Sequence, residues 1–225
     1  MAAASSGDGG PLVVAVASGK GGTGKTTVAV SLALTAPAPA VYADCDVEEP
    51  DGALFLRPDI ERERPFTQPL PVFDTELCDG CGVCHDVCEY KAILVAGKPF
   101  LFADRCHACG ACTALCPRGA IREEPFERGA VQSGRRDGLA FIEGRLRIGE
   151  ASPTALVREV RGLAAAAGRR LVVLDSAPGT SCPVIAAAHR ADFLLLVTAP
   201  PPLGAHDLAL AVEMGKTLGL PMGIV

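Results

Sequence analysis

The chain has 225 residues, of which 49% are hydrophobic and only 4% aromatic, and its formal charge is −5. That length accommodates one sizeable α/β core plus a small accessory unit, and the apolar content excludes a disordered chain. A net negative charge without a basic patch excludes broad nucleic-acid binding, so no nucleic-acid partner is expected.

Met1 to Pro11 is Ala, Ser and Gly with neither a basic n-region nor an apolar h-region, which predicts a floppy tail and not a secretory signal. Leu12 to Ala17 is a β-branched, apolar run that ends in a glycine loop, and Thr26 to Leu34 continues with helix formers, predicting strand, loop and helix. Ala36-Pro37-Ala38-Pro39 breaks that helix, and Val41 to Cys45 reads as a second buried strand closing on Asp44-Cys45-Asp46. Glu48 to Pro71 is dense in proline and charge without a clear period and reads as a connecting loop. Residues 73 to 126 form an internal repeat of two cysteine runs, each followed by a short apolar stretch, Ala92-Ile93-Leu94-Val95 and Ala120-Ile121.

Beyond the repeat, Phe141-Ile142 and Leu146 to Ile148 alternate like a hairpin, and Pro153 to Ala167 has helical spacing. Leu171 to Leu174 reads as a strand ending at Asp175, Phe193 to Val197 as another, His206 to Leu218 as a helix and Met222 to Val225 as a last strand. Strands alternating with helices predict an α/β fold with a mainly parallel sheet covered by helices on both faces. The expected organisation is a tail over 1–11, a first core part over 12–72, an inserted small domain over 73–126 and a second core part over 127–225. The chain stops at its last strand, which leaves open a short protein or one whose C-terminal end lies beyond Val225. Phe193 to Val197, followed by Pro200-Pro201-Pro202, falls far short of the roughly 20 apolar residues of a spanning helix. No transmembrane segment and a cytoplasmic location are therefore expected.

Gly19-Lys20-Gly21-Gly22-Thr23-Gly24-Lys25-Thr26 matches the phosphate-binding pattern G-x4-G-K-[ST] between a predicted strand and a predicted helix. Its glycines let backbone N–H groups turn inward around phosphate oxygens where side chains would intrude. Lys25 is the candidate for the β- and γ-phosphates and Thr26 for Mg2+, with the positive end of the helix stabilising the anion. A Gly-rich turn without a ligand is the competing reading, and the strand-loop-helix context argues against it.

Cys78-x2-Cys81-x2-Cys84-x3-Cys88 and Cys106-x2-Cys109-x2-Cys112-x3-Cys116 share one spacing, that of the bacterial ferredoxin run. Zinc is the competing reading, but it usually takes two separated pairs of ligands. The fourth cysteine of each run ligates the other cluster in this motif. Cys78, Cys81, Cys84 and Cys116 are therefore assigned to one 4Fe-4S cluster, and Cys88, Cys106, Cys109 and Cys112 to a second. Pro117 follows Cys116 as the pattern expects, whereas Glu89 stands where the first run should have proline. Ten cysteines in a secreted chain would suggest disulfides, but eight in cluster spacing place the chain in a reducing compartment. Residues 73 to 126 carry a net charge of −3, suited to a cationic face on a redox partner.

The run from Lys20 to Thr27 resembles the deviant Walker A loop of the MinD and ParA group of P-loop ATPases, which includes the nitrogenase iron protein. The likeness extends to Asp44-Cys45-Asp46 as switch I and to Asp175-Ser176-Ala177-Pro178-Gly179 as Walker B with switch II. As a whole, the chain resembles members of that superfamily that carry an inserted α+β di-cluster ferredoxin domain. The resemblance implies binding and hydrolysis of ATP with Mg2+, contacts from Gly19 to Thr27, and a nucleotide-dependent homodimer or paralogous heterodimer in which Lys20 reaches the partner's phosphates. It makes Asp46 the candidate to position or deprotonate the attacking water, Asp175 the candidate to hold a water on Mg2+, and the Gly179 N–H a sensor of the γ-phosphate.

Cys182 stands at the offset from Asp175 where the nitrogenase iron protein holds an interfacial cluster. A buried thiol is the preferred reading for Cys182 and for Cys45. His85 and His107 are expected to tune solvent and hydrogen bonds around sulfur, and His206 to begin a helix. The functional expectation is an ATPase that gates electron transfer to a partner. The alternatives are an ATP-dependent cluster or metal carrier and a positioning ATPase with a structural ferredoxin.

Overall fold

The computed structural model describes residues 10–37, 39–199 and 202–225. Most of the expected tail, Ala38 of the helix-breaking run and Pro200-Pro201 lie outside the described residues. The elements in chain order are β1 (Leu12–Ala17), α1 (Lys25–Leu34), β2 (Ala40–Cys45), α2 (Gly52–Leu56), β3 (Asp59–Phe73), α3 (Val83–Asp86), β4 (Ile93–Ala96), β5 (Lys98–Leu101) and α4 (Ala111–Ala114). They continue with β6 (Ile121–Arg136), β7 (Leu139–Leu146), α5 (Pro153–Ala165), β8 (Leu171–Ser176), α6 (Cys182–Ala188), β9 (Phe193–Leu196), α7 (Pro202–Thr217) and β10 (Met222–Ile224). Two compact units share the chain: residues up to Arg64 with Val131–Arg145 and Thr154–Val225, and Pro65–Ala130 with Leu146–Pro153.

In the first unit the strand order is β10-β9-β1-β8-β2-β7, every neighbouring pair parallel. Parallel strands covered on both faces read as continuous apolar runs, and β2 is buried at all six positions. Helix α1 lays Ala29, Val30 and Ala33 onto a cluster with Val16, Tyr42 and Val173. The loops after β1, β2 and β8 leave the carboxyl ends of adjacent strands, where open α/β sheets bind ligands.

Three expectations are overturned. The proline-rich stretch expected as a loop holds helix α2 and the 15-residue strand β3. Phe141, Ile142 and Leu146 all lie in one strand, β7, whose hairpin partner is β6. Asp137 and Gly138 join β6 to β7 with positive φ of 48° and 87°, the conformation of a two-residue type I′ turn. The sheet is thus parallel from β10 to β7 and continues in β6 and β3. His206 lies inside α7 and not at its start.

The second unit carries the two short helices α3 and α4. Each follows a left-handed glycine, Gly82 at φ 84° and Gly110 at φ 74°. Its antiparallel pair β4 and β5 matches Ile93 to Leu101 and Leu94 to Phe100. The apolar pairs after the two cysteine runs, Ala92-Ile93 and Ala120-Ile121, are buried at repeat-equivalent places. Among the described residues no helix is long and apolar enough to cross a membrane.

Candidate functional site

Gly19 to Thr26 crosses from the end of β1 to the start of α1. A Cβ at Gly19 would sit 2.3 Å from the Asp207 carbonyl oxygen of α7, and Gly24 holds φ 87° directly before the helix. Glycine is required sterically at 19 and conformationally at 24. The Thr23 hydroxyl is buried without a hydrogen-bond partner, a free donor inside the loop. Lys25 is buried; its Nζ lies 2.5 Å from Asp175 Oδ1 and 3.5 Å from Thr26 Oγ1. Lys20 is half-buried, its carbonyl accepts the Ser18 hydroxyl, and it enters no ion pair among the described residues.

Strands β2 and β8 set Asp44 directly beside Asp175, and β2 and β7 set Asp44 beside Glu143. Three carboxylates therefore stand in one row across three adjacent strands, all buried. Asp175 is met by Lys25 and by the Tyr42 hydroxyl, which donates to its Oδ2 at 2.8 Å. Asp44 accepts the backbone N–H of Asp46 at 3.0 Å and of Gly52 at 2.8 Å, folding the segment after β2 back on its strand. Burial, and then the charge of Asp175, push the Asp44 carboxyl well above its usual range. Asp46 is pushed up to about 6 by burial, with Lys25 drawing it down. The Gly179 N–H, expected to sense a phosphate, donates to the Ser18 carbonyl at 2.8 Å. In this conformation it ties the loop after β8 to the end of β1.

In the second unit, one cavity is lined by Cys78, Cys81, Cys84 and Cys116, and another by Cys88, Cys106, Cys109 and Cys112. The fourth cysteine of each run thus lies with the first three of the other. Among the described residues no three His, Cys, Asp or Glu side chains have the spacing of a single-ion site. The donor chemistry of the two cavities is that of a cluster site. Each cavity offers four cysteines, and backbone N–H groups already point at sulfur, from Ala92 to Cys88 at 3.3 Å, Ala108 to Cys106 at 3.5 Å and Ala120 to Cys116 at 3.4 Å. Burial pushes the thiols of Cys84, Cys106 and Cys112 up, so a bound cation is what would hold them as thiolates. These residues fit a thiolate-held iron-sulfur group.

The cavities differ at repeat-equivalent positions. Arg118 and Asp79 pair at 3.2 Å beside the first, whereas Tyr90 and His107 stack at 3.6 Å beside the second. His85 Nδ1 lies 2.7 Å from the Ile93 carbonyl.

This chain superposes on MinD of Pyrococcus horikoshii, solved with Mg-ADP, with a TM-score of 0.52 at 16% identity over 95% of this chain and 69% of that one. The fold is that of the MinD and ParA P-loop ATPases. McdA of Cyanothece, solved with ATP, gives the same TM-score at 16% identity over 97% of this chain and 70% of that one. Residues 71–94 and 99–122 each match the 4Fe-4S binding domain. Two uncharacterised proteins of Methanocaldococcus jannaschii are similar along most of its length. MJ0579 is 28% identical over 81% of this chain and 66% of its own length, and MJ0578 is 30% identical over 77% and 61%. The chain therefore spans less than two thirds of these relatives.

Three residues near the loop escape the sequence reading. Tyr42 sits between Val41 and Ala43 in an otherwise apolar stretch of β2 and reads as core, and Asp44 reads as part of a motif without a role of its own. Glu143 carries no motif at all; only the β2–β7 register brings it beside Asp44. Cys45 is buried as expected, and burial drives its thiol up. Cys182, expected buried, is exposed at the start of α6, because Ser181 and Pro183 place it in the solvent-facing first turn.

Proposed function

We propose that this protein binds and hydrolyses ATP with Mg2+ and couples its nucleotide state to electron transfer, through two 4Fe-4S clusters, to a partner protein. The observation that carries the reading is the pairing of β2 with β7 at Asp44 and Glu143. The segment bearing Asp46 follows β2, which pairs with β7, and the Asp137-Gly138 turn joins β7 to β6, the strand by which the chain returns from the cysteine-rich segment. A shift of that segment on hydrolysis would thus act on an element continuous with the insertion.

At the nucleotide, Lys25 would neutralise phosphate charge, and Thr26, with Asp175 through a water, would hold Mg2+, which would supply Lewis-acid stabilisation of phosphoryl charge. Asp46, ionised above about pH 6, positions the attacking water and takes its proton. The eight run cysteines hold the clusters, which supply one-electron chemistry. Lys20 and the MinD-type fold support a nucleotide-dependent dimer, homodimeric or with a paralogue, and the reduced cysteines support a cytoplasmic location.

A second reading is an ATP-dependent cluster carrier, favoured by the exposure of Cys81 and Cys109, one thiol in each quartet. Anaerobic iron and sulfide analysis, followed by reduction and exposure to Mg-ATP or Mg-ADP, separates the two. Gating predicts retained iron and a nucleotide-dependent rate of cluster reoxidation; the carrier reading predicts ATP-dependent loss of iron to an apo-ferredoxin. A reoxidation rate blind to nucleotide, with iron retained, sinks the coupling.

A further inference from the structure

Arg128 is the largest fully buried side chain among the described residues. Its Nη2 donates to the Cys106 carbonyl at 2.6 Å, its Nη1 pairs with Glu150 at 2.7 Å, its Nε has no partner, and it lies 5.9 Å from the Phe126 ring centroid. Burying a guanidinium is costly even when it is paired. The first cavity lacks this feature. The two cysteine runs are 28 residues apart, and 28 residues before Arg128 stands Phe100, an exposed side chain. The ion pair beside the first cavity, Arg118 with Asp79, is open to water, which screens it.

Resting on the reading that both quartets hold 4Fe-4S clusters, we propose that Arg128 raises the reduction potential at the Cys88, Cys106, Cys109 and Cys112 quartet above that at the other, so that a single electron settles there. Reduction adds one negative charge, and a cation fixed in a low-dielectric surround stabilises it without reorganising. Glu150, and Glu123 on the wall of the second cavity, offset this only partly, since Glu150 reaches solvent at 16% exposure and Glu123 is exposed, whereas the Arg128 side chain is wholly enclosed. The positive pole of the pair touches the Cys106 backbone. In the one-electron step the reductant is oxidised and the cluster reduced; no bond to the protein forms or breaks, and no proton moves.

The test is an anaerobic dithionite titration of the iron-loaded full chain, followed by electron paramagnetic resonance. Cys81→Ser and Cys109→Ser, each altering a ligand of one quartet, assign the two waves. Arg128→Met moves the second-quartet wave to more negative potential, changing the electron's partition between the quartets at least tenfold, about 59 mV for one electron. Glu150→Gln moves the same wave in the opposite direction, Arg128→Lys falls between Met and the native residue, and the first-quartet wave stays in place. A purely structural Arg128 would give shifts of one sign from both partners, or none, and either result overturns the proposal. Should Arg128→Met fail to hold iron, the sign of the Glu150→Gln shift decides. Native protein that binds no iron defeats the cluster reading itself, a result distinct from unmoved waves in loaded protein.

Discussion

Asp46 is half-buried, and its carboxyl is pushed up to about 6 by burial, with Lys25 pulling it down and Asp175 pushing it back. A carboxyl whose folded pKa exceeds its unfolded one stabilises the fold while protonated. That contribution is whole below about pH 4 and is lost as pH rises through about 6. Hydrolysis needs the opposite state. Asp46→Asn should therefore lower kcat for ATP about 10²–10⁴-fold while raising Tm at pH 8, and native kcat should climb with an apparent pKa of about 6. Calorimetry and a phosphate-release assay check both signs, and a fall in Tm at pH 8 contradicts the assignment. Tyr42→Phe removes the hydroxyl that meets Asp175, at an expected cost of about 1–3 kcal/mol. Thermal melts should show the loss, with the parallel sheet retained by circular dichroism. The glycines, Lys25 and the cysteine runs were legible because their spacing carries the chemistry. Tyr42 was not, because a tyrosine in an apolar strand looks like core until register places its hydroxyl against a carboxylate.

Strand β3 hid from the sequence for a reason its register supplies. The Asp74 N–H donates to the Ala120 carbonyl, so even-numbered N–H groups at that end of the strand face β6. Pro65, Pro69 and Pro71 fall on odd positions, so their missing donors lie along the opposite edge. β3 is the last strand in the sheet order, where proline is tolerated and blocks edge-to-edge pairing. A stretch that reads as a loop by composition is an edge strand with its prolines in phase. Gln68→Pro, on the paired side, should cost about 1–3 kcal/mol through a lost ladder bond. Pro69→Val, on the open edge, should leave Tm nearly unchanged and increase aggregation under light scattering. Equal destabilisation by both would refute the phase argument. By contrast, β1, β2 and β8 were legible because burial on both faces makes a parallel strand a continuous apolar run.

For the molecule as a whole, the question is whether the nucleotide segment moves together with β7, the hairpin partner of the strand that returns from the cysteine-rich segment. Glu143 is the residue on which this turns. It is buried on β7, opposite Asp44 of β2, with one carboxylate oxygen unpartnered. Burial pushes its carboxyl up, while Arg145 and the neighbouring Ala53 N–H draw it down. Asp44 holds the N–H groups of Asp46 and Gly52, and Glu143 stands beside Asp44 on the adjacent strand, so Asp44 links the segment from Asp46 to Gly52 to the strand that carries Glu143. Glu143→Gln keeps the shape and removes the charge that holds Arg145. If coupling passes through this link, the variant keeps its iron and hydrolyses ATP within about threefold of the native rate, an allowance of under 1 kcal/mol in the barrier. The ratio of cluster reoxidation rates in Mg-ATP and Mg-ADP should collapse towards one. Stopped-flow reoxidation beside a phosphate-release assay reads both quantities in one preparation. An unchanged ratio with unchanged hydrolysis would remove β7 from the coupling, and a parallel loss of hydrolysis would place Glu143 in the nucleotide site itself.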